Sequence, residues 1–428
     1  MKLSDIQKVH FVGIGGIGMS ALARLFLHEK KQVSGSDRTV SDIIRALSEE
    51  GVQIFDEQRE SNVTPDIDLL IYTEAMSHDH EELKRARALG IITINYFDAL
   101  GMVANEYYLI AVAGSHGKTT TTAMLIDIFE AAGFDPSGVV GSLRAKTKSN
   151  YRAGKSKYFI VEACEYKRDF LSLTPDILVI TNLEHEHVDY YKNLGEVQQA
   201  FREFACQVRE GGVVIVNFSG ENIAPILESV TVSVQDYGKY FDPLLSLMVP
   251  GIHNQMNAAA AIAAAEYVGI SRDVAKAALT KFVGTWRRFE YKGEVQGAKV
   301  YDDYGHHPTE IAATLQGARE LYPDKKITLV FQSHTYSRTN ELFDDFVSAL
   351  SNADEVYILP IYAAREENES GVSHTLLSEA VAKGGVSIHA HDSFETVVKE
   401  LKAHIGTHDV VLVMGAGDIT HLATQLVS

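Results

Sequence analysis

Short apolar runs along this chain alternate with longer stretches in which apolar positions recur every three or four residues. The first pattern predicts buried strands and the second predicts helices. Their alternation predicts parallel α/β layers. The alternation starts three times. The first segment opens with a strand at Val9–Ile14, turns at Gly15-Gly16 and enters a helix near Met19–Leu27. It continues through a strand ending at Asp37 and another at Leu69–Tyr72. The second opens with Tyr108–Ala113, which again runs into a glycine turn and a long helix. It holds strands at Tyr158–Glu162, Ile177–Thr181 and Val213–Asn217 and the alanine-rich helix Asn257–Tyr267. The third carries strands at Lys299–Asp303, Ile327–Gln332, Glu355–Pro360, Val386–Ala390 and Val410–Met414, with a helix near Asn340–Leu350 among those between them.

Composition narrows the function. The 428 residues suffice for two to four domains, each with its own core. No apolar run reaches the ~18 residues of a membrane span, and the N-terminus lacks a basic-then-apolar leader, so the expected location is the cytoplasm. The two cysteines, Cys164 and Cys206, fit a reducing compartment and form no metal motif. Lys and Arg total 39 against 57 Asp and Glu, a net charge of −18. That balance argues against bulk nucleic acid and anionic membrane as partners, but a few local cations and helix N-termini can still hold a small anion.

Two glycine turns carry candidate chemistry. Gly13, Gly15, Gly16 and Gly18 form a GxGxxG pattern between strand and helix, and Asp37 lies 19 residues beyond Gly18 at the end of the next apolar run. In a Rossmann-like unit such glycines admit a pyrophosphate to the helix N-terminus, and the acid accepts from a hydroxyl. The alternatives are a tight turn without ligand and a nicotinamide dinucleotide site. The latter would leave the second turn unexplained. That second turn, Gly114-Ser115-His116-Gly117-Lys118-Thr119 followed by Thr120, is a phosphate loop with two residues between its glycines where the common P-loop has four. Backbone N–H groups would surround phosphates, Lys118 would neutralise them, and the Thr119 hydroxyl could ligate Mg²⁺. The run of threonines at 119–122 is unfavourable for a helix start, which suits a functional constraint.

Glu162 ends a strand, Glu165 follows it, and Glu184, Glu186, His187 and Asp189 lie just past the next strand of the segment. Ligands of open α/β sheets collect outside the carboxyl ends of strands, so these groups should converge near the phosphates and could hold Mg²⁺. Individually each could be a solvated loop charge.

The motifs together resemble the Mur ligase family over nearly the whole chain. They are HFVGIGGIGMSALA at 10–23, AVAGSHGKTTTTAML at 111–125, VEACEYKRDFL at 161–171, TNLEHEHVDYY at 181–191, GIHNQMNAAAAIA at 251–263, WRRFEY at 286–291, YDDYGHHPTEIAATL at 301–315, FQSHTYSRT at 331–339 and VMGAGDI at 413–419. The resemblance implies three α/β domains. Residues 1–105 would form a Rossmann-like domain for the UDP sugar. Residues 106–287 would form a P-loop ATPase-type domain for ATP and Mg²⁺, and residues 288–428 a Rossmann-like domain for an amino acid. It implies ATP-dependent ligation of L-alanine to UDP-N-acetylmuramate through an acyl phosphate, or, as the alternative, addition of a tripeptide in wall recycling. A non-catalytic nucleotide sensor is disfavoured by the intact Lys118, Glu162 and His187.

Carried over by motif, Lys118 meets the ATP phosphates, and Thr119, Glu162 and His187 form the metal site. His253, Asn254 and Asn257 belong to the ATP site, with Asn257 near adenine, and Arg288 and Asp303 also serve ATP. Tyr304, His306, His307 and Arg338 serve the amino acid, where a guanidinium can pair bidentately with a carboxylate. The chain departs from the familiar family pattern at Thr335, where arginine is usual, at Glu186, where aspartate is usual, and at His185, Lys167 and Arg168.

Overall fold

The computed structural model describes residues 3–39, 41–77, 79–187, 190–364 and 366–428. It contains three α/β sheets. The first comprises β1 (Lys8–Val12), β2 (Gln32–Ser36), β3 (Gln53–Phe55), β4 (Leu69–Tyr72) and β5 (Ile92–Asn95), in the order β3-β2-β1-β4-β5. All its pairings are parallel. The second comprises β6 (Tyr108–Ala113), β7 (Ser137–Arg144), β8 (Ser149–Arg152), β9 (Tyr158–Glu162), β10 (Ile177–Ile180), β11 (Val213–Val216) and β12 (Ser233–Asp236). Its order is β12-β11-β10-β6-β9-β7-β8, and only the edge strand β8 runs antiparallel to its neighbour. The third comprises β13 (Glu290–Val295), β14 (Ala298–Asp303), β15 (Lys326–His334), β16 (Glu355–Tyr362), β17 (Ser387–Ala390) and β18 (Asp409–Met414). Its order is β13-β14-β18-β15-β16-β17, with β13 antiparallel at the edge.

Apart from β7, the strands inside each sheet are the ones the apolar runs predict. Val9, Phe11 and Val12 of β1 are fully buried, as are all four residues of β10 and of β11. Burial on both faces is what turns an alternating pattern into a continuous run. β3, β5, β8, β12 and β13 escape that reading at sheet edges, where most of their residues are only partly buried, whereas β17 is an edge strand that it predicts. The interior β7 escapes it because glycines and serines interrupt its apolar run, SGVVGSLR. The helix expected near Asn340–Leu350 is two helices, Tyr336–Glu341 and Phe343–Leu350, parted at Leu342, whose φ of −102° and ψ of 26° leave the helical region.

By contacts the chain forms two compact units: residues 3–241 with Asn257–Leu279, and Asp242–Met256 with the residues from Thr280 to the C-terminus. The first unit contains the first two sheets, and apolar residues from both share one core that includes Phe11, Leu100, Phe159 and Phe201. The second unit contains the third sheet, with one apolar cluster around Phe331 and Phe346 and another around Val330 and Leu401. A finer division at residues 105 and 287 remains our proposal. Among the described residues no helix is long and apolar enough to cross a membrane.

Candidate functional site

Both glycine turns of the first unit stand where a central parallel strand gives way to a helix, outside the strand's carboxyl end, the usual ligand position of such sheets. In the first, the backbone N–H groups of Gly13 and Ile14 donate to Ser36 O at 2.8 and 3.1 Å. Asp37 is engaged by the turn itself. Its Oδ2 accepts from Gly15 N at 2.8 Å and its Oδ1 from Thr39 N at 3.0 Å. Gly16 caps the helix Ile17–His28. A Cβ on Gly18 would stand 2.6 Å from the Tyr96 ring, so that glycine is needed for packing.

The second turn joins β6 to the helix Lys118–Ala131. Gly117 caps this helix with φ 83°, a left-handed conformation suited to glycine, and a Cβ there would collide with Asn257. Asn257 therefore packs against the phosphate loop itself. Ser115 N donates to Asn182 O and His116 N to Asn182 Oδ1, which fastens the loop to the segment after β10. Thr120 is buried behind the loop.

Lys118 turns back over its own loop. Its ammonium donates to Gly114 O at 2.5 Å, Ser115 O at 3.0 Å and Glu165 Oε1 at 3.0 Å. Glu165 is only 2% exposed, and its Oε1 also lies 3.1 Å from His187 Nε2. Burial alone would push the Glu165 carboxyl up, but the Lys118 charge and the His187 hydrogen bond bring it down to about 2. Lys118 is correspondingly held above the usual lysine range: burial opposes its charge, but Glu165 together with Cys164, Glu186 and Glu162 outweighs burial. The sequence places Glu165 near this edge but does not reveal its pairing with Lys118. The only signal is its position three residues after the strand-terminal Glu162.

Glu162 ends β9 beside β6, and its Oε2 accepts from Thr119 Oγ1 at 2.8 Å and from Gly141 N at 2.9 Å. The hydroxyl and carboxylate expected to hold a divalent cation are thus in contact. Next to them, Glu165, Glu186 and His187 each offer a ligand atom within 4.8 Å of the others. This donor set, mostly oxygen with one imidazole, fits Mg²⁺. Asp189 lies outside the described residues.

In the second unit, Asp303 ends β14 and accepts from Gly305 N and Phe289 N, both at 2.7 Å. Burial raises its carboxyl to about 6 despite the nearby Arg288 charge. Arg288 approaches Glu310 at 3.3 Å and lies over the Tyr304 ring at 5.3 Å. Its neighbour Arg287 is buried and bridges Asp302, Gly415 O and Gly417 O, so the two arginines of this motif divide into a structural member and a more exposed one. His307 is the N-cap of the helix Pro308–Leu321 in a capping box with Glu310. His253 and Asn254 also belong to this unit, and Asn254 Nδ2 donates to Pro250 O at 2.7 Å.

Rings line the carboxyl edge of the third sheet. Tyr304 meets His306 edge-on at 5.3 Å, His306 meets His334 at 6.2 Å, and His334 stacks on Tyr362 at 5.5 Å. His334 and Tyr362, at the ends of β15 and β16, were not singled out from the sequence. Arg338 lies beside His334, 3.5 Å from both its Nδ1 and its backbone O. Burial, and then the Arg338 charge, lowers the His334 pKa. Among the described residues no carboxylate forms an ion pair with Arg338.

Comparisons with known proteins identify relatives of the whole chain. Family models described as the Mur ligase family catalytic domain, the Mur ligase middle domain and the Mur ligase glutamate ligase domain match residues 8–108, 112–242 and 287–417. The chain is 39% identical to the UDP-N-acetylmuramate--L-alanine ligase of Agathobacter rectalis over 98% of its length and 97% of that protein's. It is 40% identical to the protein of the same name from Clostridium novyi over 96% and 95%. The solved UDP-N-acetylmuramate-alanine ligase of Thermotoga maritima superposes with a TM-score of 0.81 at 28% identity, covering 98% of both chains. A murein peptide ligase from Psychrobacter arcticus shares the fold, with a TM-score of 0.71 at 24% identity and 98% of both chains covered. With full-length matches to all three parts of its architecture, the chain belongs to the Mur ligase family.

Proposed function

We propose that this protein joins L-alanine to UDP-N-acetylmuramate with hydrolysis of ATP, giving UDP-N-acetylmuramoyl-L-alanine, ADP and phosphate in the synthesis of peptidoglycan precursors, in the cytoplasm. The observation that carries the reading is the second glycine turn. It brings a buried, charged lysine, a hydroxyl–carboxylate pair and a ring of backbone donors to one strand edge, in a chain whose full-length relatives bear this activity as their name.

A carboxylate is a poor electrophile, so the sugar acid must first accept the γ-phosphoryl group and release ADP. The amine of alanine then attacks the acyl phosphate, and phosphate leaves from the tetrahedral intermediate. Charge gathers on phosphoryl oxygens in the first step and on the former carbonyl oxygen in the second. Donors placed where the charge develops stabilise both. Lys118, on exchanging Glu165 for phosphate, and the N–H groups at the start of the helix Lys118–Ala131 supply them. Thr119, Glu162 and His187 would hold Mg²⁺, which shields phosphate charge when bound. Gly13, Gly15, Gly16 and Gly18 receive the diphosphate of the UDP sugar, with Asp37 securing their turn. His253, Asn254, Asn257, Arg288 and Asp303 serve ATP. Arg338 takes the alanine carboxylate, with Tyr304 and His306 beside it and His307 fixing the helix that follows.

The test is phosphate release with UDP-N-acetylmuramate, ATP and each of L-alanine, L-serine and glycine. Turnover that requires both the UDP sugar and a free amino acid, fastest with L-alanine, is expected. Turnover supported by a tripeptide and not by L-alanine would overturn the reading in favour of a recycling ligase.

A further inference from the structure

Beneath the first glycine turn lies a group of polar side chains that the ligation chemistry does not use. His10 on β1 and Glu82 in the first turn of the helix Glu81–Ala88 are both fully buried. Glu82 Oε2 accepts from Ser36 Oγ at 2.6 Å. Its Oε1 accepts from Asn62 Nδ2 at 2.7 Å and lies 3.7 Å from His10 Nε2. His10 Nδ1 in turn faces Ser34 Oγ at 2.9 Å. Burial pushes the Glu82 carboxyl up, but the neighbouring His10 ring and the hydrogen bonds from Ser36 and Asn62 pull it below the ordinary glutamate range. Its place in the first turn of a helix favours the same charge. A carboxylate at this depth is weak evidence for stability, because apolar replacements of buried ionic groups are often neutral or better. What it holds in place is therefore the informative question.

Ser36 is the hub. Its hydroxyl binds Glu82, and its carbonyl accepts from Gly13 N and Ile14 N, the first donors of the glycine turn. The next residue, Asp37, takes the N–H of Gly15. On the other side of Glu82, Asn62 Nδ2 also donates to Glu57 O at 2.7 Å, which ties down the segment Asp56–Ser61. That segment and Arg38 line an open cleft of about 700 Å³ that begins next to Asp37. One buried carboxylate thus fastens two walls, the end of β2 with its glycine turn and the segment after β3.

We propose that Glu82 is a positioning residue for the nucleoside diphosphate part of the substrate, acting through Ser36 on the glycine turn and through Asn62 on the opposite wall. The proposal rests on the reading that this turn receives the UDP sugar. The experiment uses the full chain and two variants. Glu82→Gln keeps the shape and removes the charge, and Ser36→Ala removes one link only. Calorimetry with UDP-N-acetylmuramate and steady-state kinetics are measured for each. Both variants are expected to raise the Kd and KM for the UDP sugar about tenfold, the effect of one charge-assisted hydrogen bond. KM for ATP and for alanine, and kcat at saturation, should stay within about twofold, the selectivity expected of groups that touch no reacting atom.

A lowered melting temperature with an unchanged UDP-sugar KM would overturn the proposal, as would a uniform loss across all three substrates. If Glu82→Gln does not fold, Ser36→Ala decides by the same readouts. Asp37→Ala separates the two levels. Absence of UDP-sugar binding by the wild type defeats the functional reading. Binding that Asp37→Ala weakens and neither other variant changes defeats this inference alone.

Discussion

Lys118 and Arg338 are both cations at the carboxyl edge of a parallel sheet, and they are held in opposite ways. The Lys118 ammonium has three acceptors, one of them the buried Glu165 carboxylate, and is 13% exposed. Arg338 has only two contacts at 3.5 Å, both to His334, and no carboxylate partner among the described residues. The difference follows the chemistry of the side chains. An ammonium is a compact charge on a flexible stem that can exchange one set of oxygens for another. A guanidinium is a planar fork that suits a single bidentate partner. On the function proposed above, Lys118 is kept neutralised by Glu165 and passes to phosphate when ATP arrives, whereas Arg338, with no carboxylate partner among the described residues, awaits the carboxylate of the amino acid. On that proposal the phosphate loop rearranges its ion pairs on binding and the ring-lined edge does not.

The most severe way to break this contrast is Lys118→Ala. Loss of the cation should lower kcat by roughly 100- to 1000-fold, the range for a lost electrostatic donor at a transition state. It also strands Glu165 without its ammonium, and breaking a buried pair destabilises by about 3–5 kcal/mol. The double variant Lys118→Ala/Glu165→Gln should therefore recover stability by thermal melting and stay inactive. Activity in the double variant would remove Lys118 from the phosphates.

Arg338→Ala comes next. The KM for alanine should rise roughly 10- to 150-fold, the equivalent of one lost charge-assisted pair, with the KM values for ATP and the UDP sugar little changed. Steady-state kinetics with alanine varied checks this. An unchanged alanine KM with a lower melting temperature would make Arg338 a structural residue. It stands inside the helix Tyr336–Glu341 and not at its cap, which counts against that role.

The contrast sharpens at low pH. The folded Glu165 carboxyl titrates at about 2, below its usual 4.5, so its pairing stabilises the fold fully above pH 4.5 and ceases to do so as pH falls towards 2. Glu165→Gln should flatten the acid limb of the stability curve in that window, read by circular dichroism. Arg338→Ala should leave that limb unchanged. Coincident acid limbs for wild type and Glu165→Gln would show that the pair is not ionised as described.

The smallest effect expected is at His307. As an N-cap within a capping box, its replacement by alanine should cost about 1 kcal/mol of stability, with the alanine KM changing far less than in Arg338→Ala. A large rise in alanine KM without loss of stability would return His307 to the substrate.

Particular residues show what could be read in advance. Both glycine turns, and the strands and helices on either side, were evident because their signals are local: continuous apolar runs, glycine where φ is positive, and a lysine at a helix start. Arg338 was evident as a candidate through the resemblance to the Mur ligase family, carried by the segment FQSHTYSRT. His334 and Tyr362 were not. A histidine and a tyrosine at strand ends are common, and only the alignment of β15 beside β16 makes them a stacked pair. Asp37 adds what spacing alone does not show. Its distance from the glycines suggested a ligand contact, and in the fold each of its oxygens also accepts from a backbone N–H, of Gly15 and of Thr39.

By itself, then, the sequence determined the class of most central elements and the backbone path through the two glycine turns, because hydrophobic periodicity and φ preference act over a few residues. The tertiary structure alone decided how the charges are paired. Glu165 reaches Lys118 from 47 residues away, Glu162 reaches Thr119 from 43, and Glu82 reaches Ser36 from 46. Such pairs depend on which strands become neighbours, here β6 with β9 and β10 and β1 with β2 and β4. Chain order does not specify that arrangement. It emerges from burial of the two-sided strands, and the partners of each buried charge follow from it.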